Sequence, residues 1–162
     1  MRRCTILLLM MLCAAGCSIG AKKQPDRFPV TVIQPSPGET QEEELKRIVR
    51  EADPIIENIL TAINTTDHAA YIRDFNQAMQ SAYHDKKQFK KINKWRLSRI
   101  GTYTAKNVWK IEKQHQYYII YYWAKFTKAQ QPVTVRLVLE RPNENEPLKV
   151  AMLSYNAPEL TE

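Results

Sequence analysis

The chain has 162 residues, 44% of them hydrophobic and 25% charged. That usage fits one globular domain with appendages and excludes a wholly disordered chain, a collagen or a low-complexity polymer. Lys plus Arg is 24 against 17 Asp plus Glu, net +7, and the only cysteines are Cys4, Cys13 and Cys17, so the body holds no disulfide, zinc–cysteine site or cysteine nucleophile.

The first segment reads as an address. Arg2 and Arg3 form a basic start, and Thr5 to Ala15 is uncharged and mostly apolar. Such a run suits a secretory signal and is too short to span a bilayer as a helix. It ends in Leu12, Cys13, Ala14, Ala15, Gly16, Cys17, which resembles the lipobox of bacterial lipoproteins, where small residues precede the acylated cysteine. The resemblance implies cleavage between Gly16 and Cys17, lipid on Cys17 and residues 1–16 as the removed signal. Ala14 departs from the usual leucine. Two or three acyl chains, at about 0.8 kcal/mol per buried methylene, make a lasting anchor. Ser18 comes directly after the cysteine. In diderm bacteria, that residue implies the periplasmic face of the outer membrane. Loss of Arg2 and Arg3 leaves 22 basic and 17 acidic residues, net +5.

Residues 17–39 read as the lipidated cysteine and a flexible tether, with Pro25, Pro29, Pro35 and Pro37 among polar neighbours. At about 3 Å per extended residue it holds the domain tens of ångströms from the lipid. Phe28, Val30, Val32 and Ile33 offer an alternative, docking on the domain.

Residues 40–162 read as one α+β domain. Thr40 with Glu43 fits a capping box. Leu45, Ile48, Val49 and Ala52, then Ile55, Ile56, Ile59, Leu60 and Ile63, keep helical spacing. Pro54 makes this one kinked helix or two in series, ending near Asn64. Thr65 or Thr66 caps the next segment, one or two short helices carrying Ala69, Ala70, Ile72, Phe75, Ala78 and Met79. A further helix runs from about Asp85 to Ile100 and stops at Gly101. The period then changes to two. Residues 103–114, 116–128, 132–141 and 147–156 read as four strands whose short links favour an antiparallel meander. The second strand is apolar on both faces. Tyr118, Ile120, Tyr122, Ala124 and Phe126 line one, and Tyr117, Ile119, Tyr121 and Trp123 the other.

Several soft motifs carry a resemblance over about Ala52 to Tyr155. They are Asp53, Pro54, Ile55, Ile56 with Leu60; Asp74, Phe75; Asn93, Lys94, Trp95 leading to Ile100, Gly101; and Tyr118 to Tyr122. The pattern is similar to a family of uncharacterised bacterial lipoproteins with the cystatin-like cone of the nuclear-transport-factor-two-like superfamily. The resemblance implies a curved sheet wrapped around a long helix and brings no catalytic residues with it.

Lys87, Lys90, Lys91 and Lys94 share one side of the helix at 85–100. They form either a solvated face opposite a stripe of Phe89, Ile92 and Trp95, or a landing patch for anionic lipid or an acidic partner. Arg96 and Arg99 lie near that stripe. They pair with Asp67, Asp74 or Asp85, or form an anion site in the mouth of the cone. Tyr118 and Tyr122 belong to the aromatic strand, whose second face calls for a cover: monomer packing, a second subunit or a ligand. His68, His84 and His115 have no metal-ligand spacing, so neither a metal nor a cofactor is expected, and nucleic acid does not suit an exported lipoprotein. The leading expectation is a non-enzymatic binding or assembly module, held to the membrane through Cys17 and meeting an envelope protein or a second copy through the sheet. The alternatives are a carrier of a small apolar or anionic ligand and an enzyme using Asp74 with Tyr118 or Tyr122 in the cone, the latter a fold-level analogy.

Overall fold

The structure is a computed structural model and describes residues 40–143 and 145–161. The expected signal, lipidation site and tether, Gly16 and Cys17 among them, lie outside the described residues. Four helices precede a four-stranded antiparallel sheet of order β1-β2-β3-β4, which is the expected α+β meander.

Helix α1 (Gln41–Thr65) opens on the capping box. Thr40 Oγ1 accepts from the Glu43 N–H, and the Glu43 carboxylate accepts from the Thr40 N–H. It is one helix that continues through Pro54. Its stripe of Ile48, Ala52, Ile56, Ile59, Leu60 and Ile63 is fully buried. Truncating one of these large side chains to alanine removes about 2–5 kcal/mol. Thr66 takes a left-handed conformation and ends α1 instead of capping the next helix. The cap of α2 (His68–Ile72) is Asp67, whose carboxylate accepts from Ala70 N–H, the bond that a helix start asks of Asp or Asn. Asn76 caps α3 (Gln77–Ala82) in the same way. Asp85 caps α4 (Lys86–Ile100), accepting from the N–H groups of Lys87 and Gln88.

Gly101 closes α4 at φ +79°. A Cβ there would collide with Thr127 Oγ1 and the Lys128 backbone, so the turn into β1 requires glycine. Strands β1 (Tyr103–Gln114), β2 (Tyr117–Phe126), β3 (Val133–Glu140) and β4 (Lys149–Asn156) complete the domain's sheet. The β1–β2 link turns at His115, φ 54°.

Alternation sorts the sheet into two faces. Tyr118, Ile120, Tyr122, Ala124 and Phe126 of β2, with Val133, Val135, Leu137 and Leu139 of β3, join the α1 stripe in a single core. Two bulges interrupt the β1 register, one of them between Val108 and Lys110. The extra residue there is Trp109.

A seam of charged bonds fastens α1 to the sheet. Lys106 Nζ reaches Asp53 at 2.7 Å and Glu57 at 3.0 Å, and the Tyr103 hydroxyl donates to Glu57 at 2.8 Å. Lys113 Nζ and the Tyr118 hydroxyl both donate to Glu44, at 2.6 and 2.7 Å. Arg141 pairs with Glu51.

Candidate functional site: two exposed faces and a cleft

The α+β frame leaves three features outside the core: the solvent side of α4, a cleft beside it, and the face of the sheet turned away from the helices.

Helix α4 is held from beneath by Phe89, Asn93 and Ile100. Asn93 is fully buried, and its amide donates to the Ile63 carbonyl at 2.7 Å and to Thr66 Oγ1 at 2.9 Å. Those bonds tie α4 to the end of α1, where the Ile63 carbonyl also accepts from the Thr66 N–H. They also turn Lys86, Lys87, Lys90, Lys91 and Lys94 to solvent. The expected apolar stripe is corrected here. Phe89 packs on the Tyr71 ring at 4.8 Å, but Ile92 and Trp95 are 41% and 40% exposed. The buried side of α4 runs through Phe89, Asn93 and Ile100, so Trp95 falls beside Lys91 and Ile92 turns to the cleft on the other flank.

This helix is electrostatically strained. Seven of its residues are basic and none is acidic. Lys86–Lys90, Lys87–Lys91 and Lys90–Lys94 are like-charge i,i+4 pairs, each costing about 0.2–0.5 kcal/mol. Lys86 and Lys87 also sit at the positive end of the helix dipole. No ion pair to these five lysines exists among the described residues. Every described carboxylate already has a partner elsewhere: the α1 acids on the sheet seam and their own helix, Asp67 and Asp85 on their caps, Asp74 on Arg73 and Asn58, Glu112 on Lys110, Glu140 on Asn76, Glu146 on Asn143 and Glu159 on the Gln130 N–H.

The expected arginine site divides. Arg96 stacks over the Tyr155 ring, 4.5 Å from its centroid, and Nη1 donates to Asn93 Oδ1 at 3.4 Å. It makes no ion pair with Asp67, Asp74 or Asp85, whose carboxylates are bonded as above. With Tyr71, Tyr83, Phe89 and Ile92 it lines a cleft of about 310 Å³, which Asp85 also borders. Burial pushes the Tyr71 hydroxyl up despite the nearby Arg96 charge. Arg99 lines a different hollow, with Gln130 and Glu159.

Tyr118 and Tyr122, weighed as binding residues, both belong to the core, 8% and 0% exposed. Burial, then the Glu44 hydrogen bond, pushes the Tyr118 hydroxyl well above its usual range. Burial, with Asp53 second, does the same to Tyr122, whose hydroxyl has no hydrogen-bond partner. Asp74 bonds to Asn58 at 3.2 Å and to Arg73 at 3.0 Å, whereas Tyr118 bonds to Glu44. The acid–tyrosine pairing weighed for an enzyme is therefore not assembled. His68 Nε2 donates to the Tyr83 carbonyl and His84 Nδ1 to the Ser81 carbonyl.

The outer sheet face carries a cluster of aromatic side chains outside the core. Trp109 and Trp123 stack with centroids 5.5 Å apart and planes at 19°, and Tyr121 lies 5.6 Å from Trp109. Trp109, Trp123 and Met152 are about half exposed (46%, 51% and 49%). Beside this ridge a groove of about 320 Å³ is floored by Ile119 and Val138 and edged by Tyr117, Arg136 and Met152. Sequence reasoning found Trp123, Tyr117 and Tyr121 but not Trp109 or Met152. The missed signal for Trp109 was Val108 and Trp109 side by side in an otherwise polar strand, which period two cannot place on opposite faces without wasting one.

No protein-family profile matches the chain, and no curated protein is significantly similar to it. Among the described residues, no helix is long and apolar enough to cross a membrane.

Proposed function

We propose that the chain is a bacterial envelope lipoprotein, anchored through lipid on Cys17, whose cone-like domain is a non-enzymatic module that binds another folded protein through the outer face of the sheet. The observation that carries the binding reading is the stacked Trp109–Trp123 ridge with its adjoining groove, an apolar patch of the kind that marks protein contacts. Large flat aromatics are the usual energetic anchors of such contacts.

The partner is a protein whose apolar patch has an acidic rim. Lys125 and Arg136 on this face make no ion pair among the described residues, and Lys110 and Glu112 neutralise each other at 2.5 Å. A second copy would bring the same positive rim against itself, which disfavours a homodimer.

The test is native-state mass in detergent extracts of envelopes. The wild-type chain should migrate in a complex heavier than twice its own mass. Trp109→Ala with Trp123→Ala should release it while leaving its melting temperature within a few degrees, because both side chains are half exposed. A wild-type chain running as a monomer would refute the reading. A species of twice its mass would replace the partner with a second copy.

A further inference from the structure

We infer that the solvent side of α4 lies on a membrane surface of anionic lipid. The lysines would contact lipid phosphates, and Trp95 would enter the headgroup layer. The inference rests on the lipoprotein reading only for where that membrane is; the atoms that carry it are separate from Cys17.

Lys86, Lys87, Lys90, Lys91 and Lys94 are exposed and unpaired among the described residues, and every described carboxylate is bonded elsewhere. No described carboxylate offsets this charge, which favours an anionic surface outside the domain. A plane of phosphates relieves all of it at once, because the lysines share one side of a straight run of helix. Charge alone fits any polyanion. One apolar neighbour narrows the choice. Trp95 is i+4 from Lys91 and about 40% exposed on the flank of the basic strip. An exposed Trp beside Lys on a helix gives the composition of an interfacial element, with the indole at headgroup depth.

The inference also orients the molecule. α4 belongs to the helix layer, while the Trp109–Trp123 ridge is on the face of the sheet turned away from that layer. With α4 on lipid, the ridge remains open to a partner in the aqueous compartment.

The experiment uses the full chain mixed with vesicles of phosphatidylcholine alone or with phosphatidylglycerol added. Flotation with the neutral vesicles reports the anchor. Quenching of Trp95 by brominated lipid, taken as the difference between wild type and Trp95→Phe, reports α4. We expect Trp95 quenching only when phosphatidylglycerol is present, and its loss in high salt. Changing Lys87, Lys90, Lys91 and Lys94 to glutamate should weaken the quenching about tenfold or more. The milder Lys87→Gln with Lys91→Gln pair should weaken it less, which guards against a misfolded quadruple variant. Equal quenching on both vesicle types, or quenching that survives charge reversal, would overturn the inference. So would an unquenched Trp95 on all vesicles; an acidic protein whose capture depends on the same lysines would then take the place of lipid. A chain that fails to float with neutral vesicles but is quenched on anionic ones would sink the anchor and leave α4 docking intact.

Discussion

At the scale of single residues, two buried polar groups decide how the helices sit. Glu44 is 4% exposed yet charged. Burial alone would raise its pKa, but the hydrogen bonds from Lys113 and Tyr118 outweigh that and hold it below the usual 4.5. A depressed carboxylate adds stability above its unfolded value and loses it as pH falls through the folded one. Glu44→Gln should therefore flatten part of the loss of stability below about pH 4.5, read as the midpoint of urea unfolding against pH. Lys113→Met leaves the buried carboxylate with Tyr118 alone and should cost about 3 kcal/mol, whereas removing both charges together should cost less. Asn93→Ala removes two buried hydrogen bonds, to the Ile63 carbonyl, which keeps the Thr66 N–H, and to Thr66 Oγ1, and should cost about 1–3 kcal/mol at about 0.5–1.5 each. Glu44 was legible in principle: it stands four residues before Ile48 on the stripe that continues through Ala52 and Ile56. Its partner was not, because Lys113 is brought to it by the fold across 69 positions.

At the scale of elements, helix periods, caps and strand alternation were readable from local pattern, and α1, α4 and the four strands stand within a few residues of expectation. What local pattern misjudged was which side of α4 is buried. Phe89, Ile92 and Trp95 looked like the stripe on apolarity alone. The structure instead buries a side containing polar Asn93, whose amide bonds to the Ile63 carbonyl and Thr66 Oγ1 at the end of α1. The strain in α4 makes a stability prediction that is independent of any ligand. Lys90→Glu converts two like-charge pairs into opposite ones and should raise stability by about 0.5–1 kcal/mol at low ionic strength. The gain should shrink as salt screens both variants. Gly101→Ala should destabilise by about 2 kcal/mol or more, since it combines left-handed strain with a collision at Thr127. Both are readable by thermal unfolding.

At the scale of the whole molecule, the distribution of charge matters more than its sum. The described acids are consumed along the α1–sheet seam, at helix caps and in local pairs, and a basic excess emerges on α4. An exposed aromatic cluster emerges on the far face of the sheet. On the proposed reading, one of these surfaces meets lipid and the other protein. The composition showed both excesses, but only the pairing of carboxylates and the bulge at Trp109 show where each ends up. The proposed anchor makes its own prediction: Cys17→Ala should abolish lipid labelling and block the lipid-dependent cut.

The most direct measurement is photo-crosslinking in intact cells, with a photoreactive residue in place of Trp123. We predict a discrete adduct to one envelope protein, lost when Trp109→Ala removes the other half of the stacked pair and strongly reduced when Cys17→Ala frees the chain from the membrane. No adduct from position 123, or an adduct indifferent to both changes, would contradict the claim that this is a membrane-held module binding through its outer sheet face.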